Sequence, residues 1–229
     1  MKDEKVLSPE KITMEDQFQF IDEIADDYSR DRWEQTAQVE KELEPVINVL
    51  KKNDVCLELG AGAGTVMQVI NNAGYKVIGI DKSERMVKNA VDHEIQNMVR
   101  GNGFNLPFQN ETFDAVFSWG NTLGPIPGEE NRLQMLKEAR RVLKPGGILA
   151  LSVLNKGCNL RRSMGPREYA FHYHAKSKNW KSELAGYNKF YSIGELKKQL
   201  TRAGFQRFRR LTSRCDLAIV LLADGNTKL

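Results

Sequence analysis

Residues Cys56 to Gly64 read CLELGAGAG: a short apolar run holding an acid, Glu58, followed by glycines at 60, 62 and 64. Glycines at alternate positions let a backbone turn tightly and let a ligand approach it closely. Two ligands compete for such a loop. A dinucleotide pyrophosphate asks for G-x-G-x-x-G ahead of a helix, and here position 65 is Thr65. A carboxylate at Glu58 would also repel a pyrophosphate, whereas it suits a cofactor with a positive centre and an amino group. Asp81 ends the next apolar run, 21 residues after Gly60. A carboxylate at the end of a strand can accept hydrogens from ribose hydroxyls. Its competing role, capping the following helix, is already offered by Ser83.

These side chains need a scaffold that brings strand ends together. Val55–Leu59, KVIGI ending at Asp81, the stretch NMVRG, the stretch FDAVFSWG and ILALSVL after the KPGG turn read as strands. Helical stretches lie between them: Thr65–Ala73 stopped by Gly74, a segment opened by Ser83, and Glu129–Leu143 with Leu133, Leu136, Ala139 and Val142 on one side. Such alternation gives a parallel sheet covered on both faces. Right-handed crossovers then gather the loops after each strand on one edge. After a helix at SIGELKKQLTRAGF, two consecutive strands, FQRFRRL and DLAIVLL, predict an antiparallel hairpin at the sheet edge. The fold class is α/β: a seven-stranded, mostly parallel sheet with helices on both faces and an antiparallel C-terminal strand. Residues 1–15 read as a loose tail. Gln17–Leu50 is helical, with Phe18, Ile21, Ile24 and Ala25 on one face and Pro45 as an interruption or a start. Residues 156–190 read as irregular and rich in aromatic rings.

In order and in register, E-x-G-x-G-x-G, GIDKSERMV, LPF, FDAVFS and LKPGG make the stretch Asp54–Leu154 resemble the class I S-adenosylmethionine-dependent methyltransferases, with looser similarity from Ser192 onward. The resemblance implies a Rossmann-like fold, S-adenosyl-L-methionine as cofactor and methyl transfer as the reaction. It implies a cofactor set of Glu58, Gly60, Ala61, Gly62, Gly64, Asp81, Lys82, Met86, Asn102, Gly103, Phe104 and Ser118. Asn102 departs from the family's usual Asp, but an Asn carbonyl can accept the same hydrogen bond from an adenine amino group. Phe104 is expected either beside the adenine or in the core. Trp119, Asn121, Tyr28 and Tyr173 are the implied substrate contacts. GNTLG after the fourth strand looks like the GNS stretch of small-amine enzymes, with shaping of the turn as the competing role of Asn121. Tyr28 and Trp33 could close over the cofactor from the N-terminal segment or simply pack. His172 and His174 are the candidate bases, because imidazole takes a proton near neutral pH. Their H-x-H spacing has no third ligand nearby, so no metal is expected.

The chain of 229 residues has 41% hydrophobic and 28% charged residues and a net charge of +4, an ordinary globular balance. It has no run apolar enough to span a membrane and no apolar leader at its start. Three scattered cysteines suggest a reducing, cytoplasmic setting, with Cys56 buried in a strand. The expected organisation is a helical cap (1–50), a cofactor-binding core (51–155), a lid or substrate insertion (156–190) and a C-terminal completion of the sheet (191–229). The expected partner is a small-molecule substrate. Arginines at 161, 162, 167, 207, 209, 210 and 214 motivate an RNA substrate as the alternative, less favoured because acids offset most of the charge. A catalytically silent cofactor-binding subunit is the alternative of another class. Oligomeric state is open.

Overall fold

The computed structural model describes residues 11–156, 168–171, 186–211 and 218–225. Helices α1 (Met14–Glu34) and α2 (Thr36–Ile47) open the chain. Then come β1 (Val55–Leu59), α3 (Thr65–Asn72), β2 (Lys76–Asp81), α4 (Glu84–Asp92), β3 (Met98–Arg100), β4 (Phe113–Ser118), α5 (Glu129–Val142) and β5 (Leu143–Leu154). The short strands β6 (Glu168–Phe171) and β7 (Gly186–Lys189) follow, then α6 (Ile193–Arg202), β8 (Phe205–Arg210) and β9 (Ala218–Gly225). The main sheet has the order β3-β2-β1-β4-β5-β9-β8, with β1 to β5 parallel and β9 antiparallel to both neighbours. The C-terminal pair therefore does sit at one edge, with its last strand on the inside.

Both faces of the sheet are covered, so its central strands read as almost continuous apolar runs. Leu57, Leu59, Phe113 and Val116 pack with α5 and α6, while Cys56, Val77, Ala115 and Phe117 pack with α2 and α3. Burial pushes the Cys56 thiol up to about 12, which leaves it an inert hydrophobe.

Four expectations change. Thr13 and Asp16 form a capping box, so α1 starts inside the stretch read as a tail. Pro45 lies inside α2 in its last turn, rather than starting a helix. β5 begins at Leu143 and runs through the KPGG stretch, because Leu143 already pairs with Phe113. Among the described residues of 156–190, 168–171 and 186–189 pair as an antiparallel ribbon, β6 with β7.

A polar clasp fixes the end of β5 to α6. Lys156 Nζ reaches both carboxylate oxygens of Glu195 at 2.6 and 2.7 Å, and Ser192 N–H donates to the same group. Partial burial pushes Glu195 up, but these hydrogen bonds outweigh it and bring the carboxyl down to about 2. Because the folded value lies below the ordinary 4.5, the clasp's contribution is full above that value and is lost as pH falls through about 2. Thermal melts of wild type and Glu195→Gln should therefore differ at pH 7 and converge as the pH approaches 2.

Candidate functional site

The segments that follow β1, β2, β3 and β4 meet at one edge of the sheet, as the crossover rule requires. They form one wall of a cavity of about 260 Å³; α1 forms the facing wall, and Tyr187 and Asn188 of β7 close one side. Thirteen of the residues named from the sequence lie on its lining: Tyr28, Glu58, Gly60, Ala61, Gly62, Asp81, Lys82, Met86, Asn102, Gly103, Phe104, Trp119 and Asn121.

The three glycines do different work. A Cβ on Gly60 would stand 2.2 Å from Thr122 Cγ2, and one on Gly64 would stand 2.8 Å from Ile95 Cγ1. A Cβ on Gly62 would meet only Met86 Sδ, at 3.8 Å. Gly62 is thus the one whose missing side chain leaves room toward the cavity, while packing excludes side chains at the other two. Gly64 is not on the lining; it opens α3 from a left-handed conformation with φ of 82°.

Asp81 ties this loop to β2. One carboxylate oxygen accepts the Gly62 N–H at 2.8 Å and the other accepts the Ser83 N–H at 2.9 Å. Each oxygen keeps a lone pair for a ligand hydroxyl. Ser83 caps α4 through the Met86 N–H, so that helix does not depend on Asp81 for its cap. Burial raises the Asp81 carboxyl above its usual value, and the two N–H groups partly offset this.

Glu58 is 2% exposed, and its Oε2 is buried without a hydrogen-bond partner. Burial pushes its carboxyl well above the ordinary range, Arg32 draws it down, and Asp81 raises it further. A buried acid with an unsatisfied oxygen is costly unless a cation comes to it. Arg32 and Tyr28 arrive from α1: a Cβ on Gly120 would lie 3.8 Å from Arg32 Nη2 and 3.9 Å from Tyr28 Oη.

Other expectations need correction. Ser118 is 2% exposed and off the lining, so it is a buried strand residue and not part of the cavity wall. Trp33 packs against the sheet-side core and stacks on His93 at 4.3 Å, away from the cavity. Asn121 spends its amide on the scaffold: Oδ1 accepts the Leu154 N–H at 3.1 Å, and Nδ2 donates to Asn188 at 3.0 Å. Asn102 Oδ1 accepts the Phe104 N–H at 3.0 Å, which shapes its own loop and leaves one lone pair. Phe104 does both things expected of it, packing on the core and lining the cavity. His172, His174 and Tyr173 lie outside the described residues.

Sequence reasoning missed the residues that seat α1. Gln17 Oε1 accepts the Tyr187 N–H at 2.6 Å, across 170 positions. Arg132, buried in α5, donates to the Ile126 carbonyl at 2.6 Å and to Tyr187 Oη at 2.9 Å. On the far side, Asp22 accepts from Ser83 Oγ, and Asn89 donates to Asp26 and Ser29. Arg132 stands three, four and seven residues before Met135, Leu136 and Ala139, on the apolar side of α5, and only its tertiary neighbours reveal what a guanidinium buried there bonds to.

The family model for a methyltransferase domain matches residues 57–151, the stretch that supplies the sheet-side wall. Over that stretch the chain is similar to the class I S-adenosylmethionine-dependent methyltransferases. A probable methyltransferase, ltbC, of Aspergillus luteorubrus is 36% identical over 51% of this chain and 46% of its own length. A probable tRNA methyltransferase 9B of Homo sapiens is 33% identical over 45% of this chain and 22% of its own. The matched stretches thus cover less than half of these relatives. The CcbJ methyltransferase of Streptomyces caelestis, at 20% identity, superposes with a TM-score of 0.71 over 90% of this chain and 97% of its own, a likeness of fold. The cofactor that this likeness implies is S-adenosylmethionine, and the residues of the cavity fit it. The unpaired Glu58 oxygen suits its cationic end, Asp81 its ribose, and the open side of Gly62 a close backbone approach.

Proposed function

We propose that this protein transfers a methyl group from S-adenosylmethionine to a nitrogen or oxygen of a small molecule. The observation that carries the reading is the pairing of a buried acid, Glu58, and a part-buried one, Asp81, with the open backbone at Gly62 on one cavity wall under α1. The bound cofactor supplies a methyl group that its sulfonium already makes electrophilic. The chain's own residues then hold and align. Asp81 accepts the ribose hydroxyls, Glu58 and Arg32 meet the amino and carboxylate ends, and the Asn102–Phe104 loop receives the base. Tyr28, next to the Gly120 turn, faces the acceptor. The α1 roof excludes water, so that alignment and desolvation supply most of the acceleration. Where the acceptor holds a proton at rest, His172 or His174 is proposed to take it, within a lid spanning 156–190 over a core of 51–155.

An RNA acceptor is the second reading. The tRNA methyltransferase relative and the arginines of edge strand β8 favour it. Against it stand the roofed cavity and the commitment of Arg207 to Asp224 at 2.6 Å.

Calorimetry in two buffers of different ionisation enthalpy tests the reading. S-adenosylmethionine should bind and NAD should not. Since burial raises Glu58, an approaching cation should expel its proton, so binding should release a proton and tighten as pH rises toward that raised value, levelling off above it. In Glu58→Gln that release should disappear. Label transferred from the cofactor should then enter the small-molecule fraction of a crude extract. NAD binding tighter than the methionine cofactor would end the methyltransferase reading, and label in RNA alone would favour the second one.

A further inference from the structure

We propose that the methyl acceptor is an uncharged, apolar small molecule, an aromatic or aliphatic body carrying one nucleophilic atom, and that Ile21 and Ile24 of α1 select it. This rests on the methyltransferase reading and names the substrate class of that site.

The two walls of the cavity differ in chemistry. The sheet-side wall carries Glu58, Asp81 and Lys82, together with the glycine loop. The α1 wall consists of Met14, Gln17, Phe18, Ile21, Ile24 and Tyr28, then Arg32, with Phe20 at its margin. Positions 14, 17, 21, 24, 28 and 32 recur every three or four residues, so they form one stripe along the helix. Its register is fixed from the adjoining face. Asp22 is bonded to Ser83, Asp26 and Ser29 to Asn89, and Asp26 to Arg85 at 3.3 Å. The stripe cannot rotate into the core without breaking these bonds.

Phe18, Ile21 and Ile24 are half-buried, and none of them belongs to a core cluster of the fold. An amphipathic helix ordinarily buries its apolar stripe against the core. Here Ile21 and Ile24 turn theirs toward an open space, and the contacts that would satisfy them come from a ligand. Lys82 Nζ stands 4.5 Å over the Phe18 ring, which leaves the two isoleucines as the uncommitted apolar pair.

Two of the polar groups nearby are already engaged. Gln17 Oε1 holds the Tyr187 N–H, and Asn188 Oδ1 accepts from Asn121. Arg32 is the one charged side chain on the α1 wall, and it is the opposite charge facing Glu58. A charged acceptor would have to be desolvated against Ile21 and Ile24, which offer it only carbon, and that is costly. A neutral apolar body meets carbon on this side, the usual composition of a small-molecule pocket with few orienting polar groups.

The test uses the full chain, labelled S-adenosylmethionine and a panel of neutral phenols, aryl amines and aliphatic alcohols. Each is matched with a carboxylated and a quaternary-ammonium derivative, and bulk RNA is included. Cofactor affinity is measured separately by calorimetry. Neutral members should be methylated about tenfold or more better than their charged counterparts, the scale on which pocket contacts discriminate. Ile21→Ser and Ile24→Ser should raise the acceptor KM about tenfold with kcat little changed and cofactor Kd within about twofold, while Ile24→Val stays near wild type. Better transfer to charged members or RNA overturns the proposal. So does cofactor binding without transfer to any neutral compound, or a cofactor Kd that rises in step with the acceptor KM. Wild type that binds no cofactor would instead remove the methyltransferase reading itself, and the proposal with it. The neutral-against-charged comparison is made on wild type, so it stands even if a serine variant fails to fold.

Discussion

Asp81→Ala lowers cofactor affinity by about 1.5–3 kcal/mol, roughly ten- to a hundredfold, the loss expected when a charged hydrogen-bonding group is removed. Two consequences combine. The ribose loses its acceptor, and the Gly62 and Ser83 N–H groups lose the carboxylate that now holds them at 2.8 and 2.9 Å. The second effect loosens the loop that lies against the ligand. Stability of the ligand-free protein should fall much less. The part-buried charge is itself costly, as its raised carboxyl shows, and Ser83 still caps α4. Asn102→Ala should cost less affinity than Asp81→Ala, because a neutral acceptor that already bonds Phe104 N–H is removed. Calorimetry and ligand-free melts on the same preparations check both parts. Wild-type affinity in Asp81→Ala would mean that the ribose lies elsewhere.

Gly60→Ala has a comparable effect through a different route: it destabilises the protein by about 2–5 kcal/mol. Its φ of 66° is left-handed, which costs a residue with a Cβ about 1–2 kcal/mol. The new methyl would also stand 2.2 Å from Thr122 Cγ2, and overpacking of that kind typically costs about 1–3 kcal/mol. Thr122 is not free to swing aside, because its hydroxyl donates to the Trp119 carbonyl at 2.8 Å. For a chain of this size the melting temperature should drop by roughly 5–15 °C. Adding Thr122→Ala separates the two causes. The double variant should regain the packing part and keep the backbone part, so its melt should lie between Gly60→Ala and Thr122→Ala. Full stability in Gly60→Ala would contradict the close approach of these two segments.

Cofactor chemistry was legible in the sequence because its signals are local. A strand, a glycine turn and a helix start follow one another within about ten residues, and Asp81 sits where the next strand must end. Strand alternation then fixes the edge at which these ends gather. The roles of the individual glycines were not legible. Gly60, Gly62 and Gly64 look alike in sequence, and only Thr122 and Ile95, brought in from 62 and 31 positions away, separate packing from ligand approach. Ser118 failed for a related reason. The end of β4 does turn toward the cavity, but the turn begins one residue later, at Trp119.

By itself the sequence determined the parallel sheet, the glycine loop and the acidic wall of Glu58 and Asp81, since hydrophobic period, caps and loop glycines act over a few residues. The tertiary structure alone decided the roof: that α1 turns Ile21, Ile24, Tyr28 and Arg32 into the cavity, and that Trp33 turns away. Those directions are set by bonds from Gln17 to Tyr187 and from Asp22, Asp26 and Ser29 to α4. Periodicity marks a helix's apolar stripe but not what the stripe will face. That depends on which polar groups, 57 to 170 residues distant along the chain, find partners on the helix's other sides.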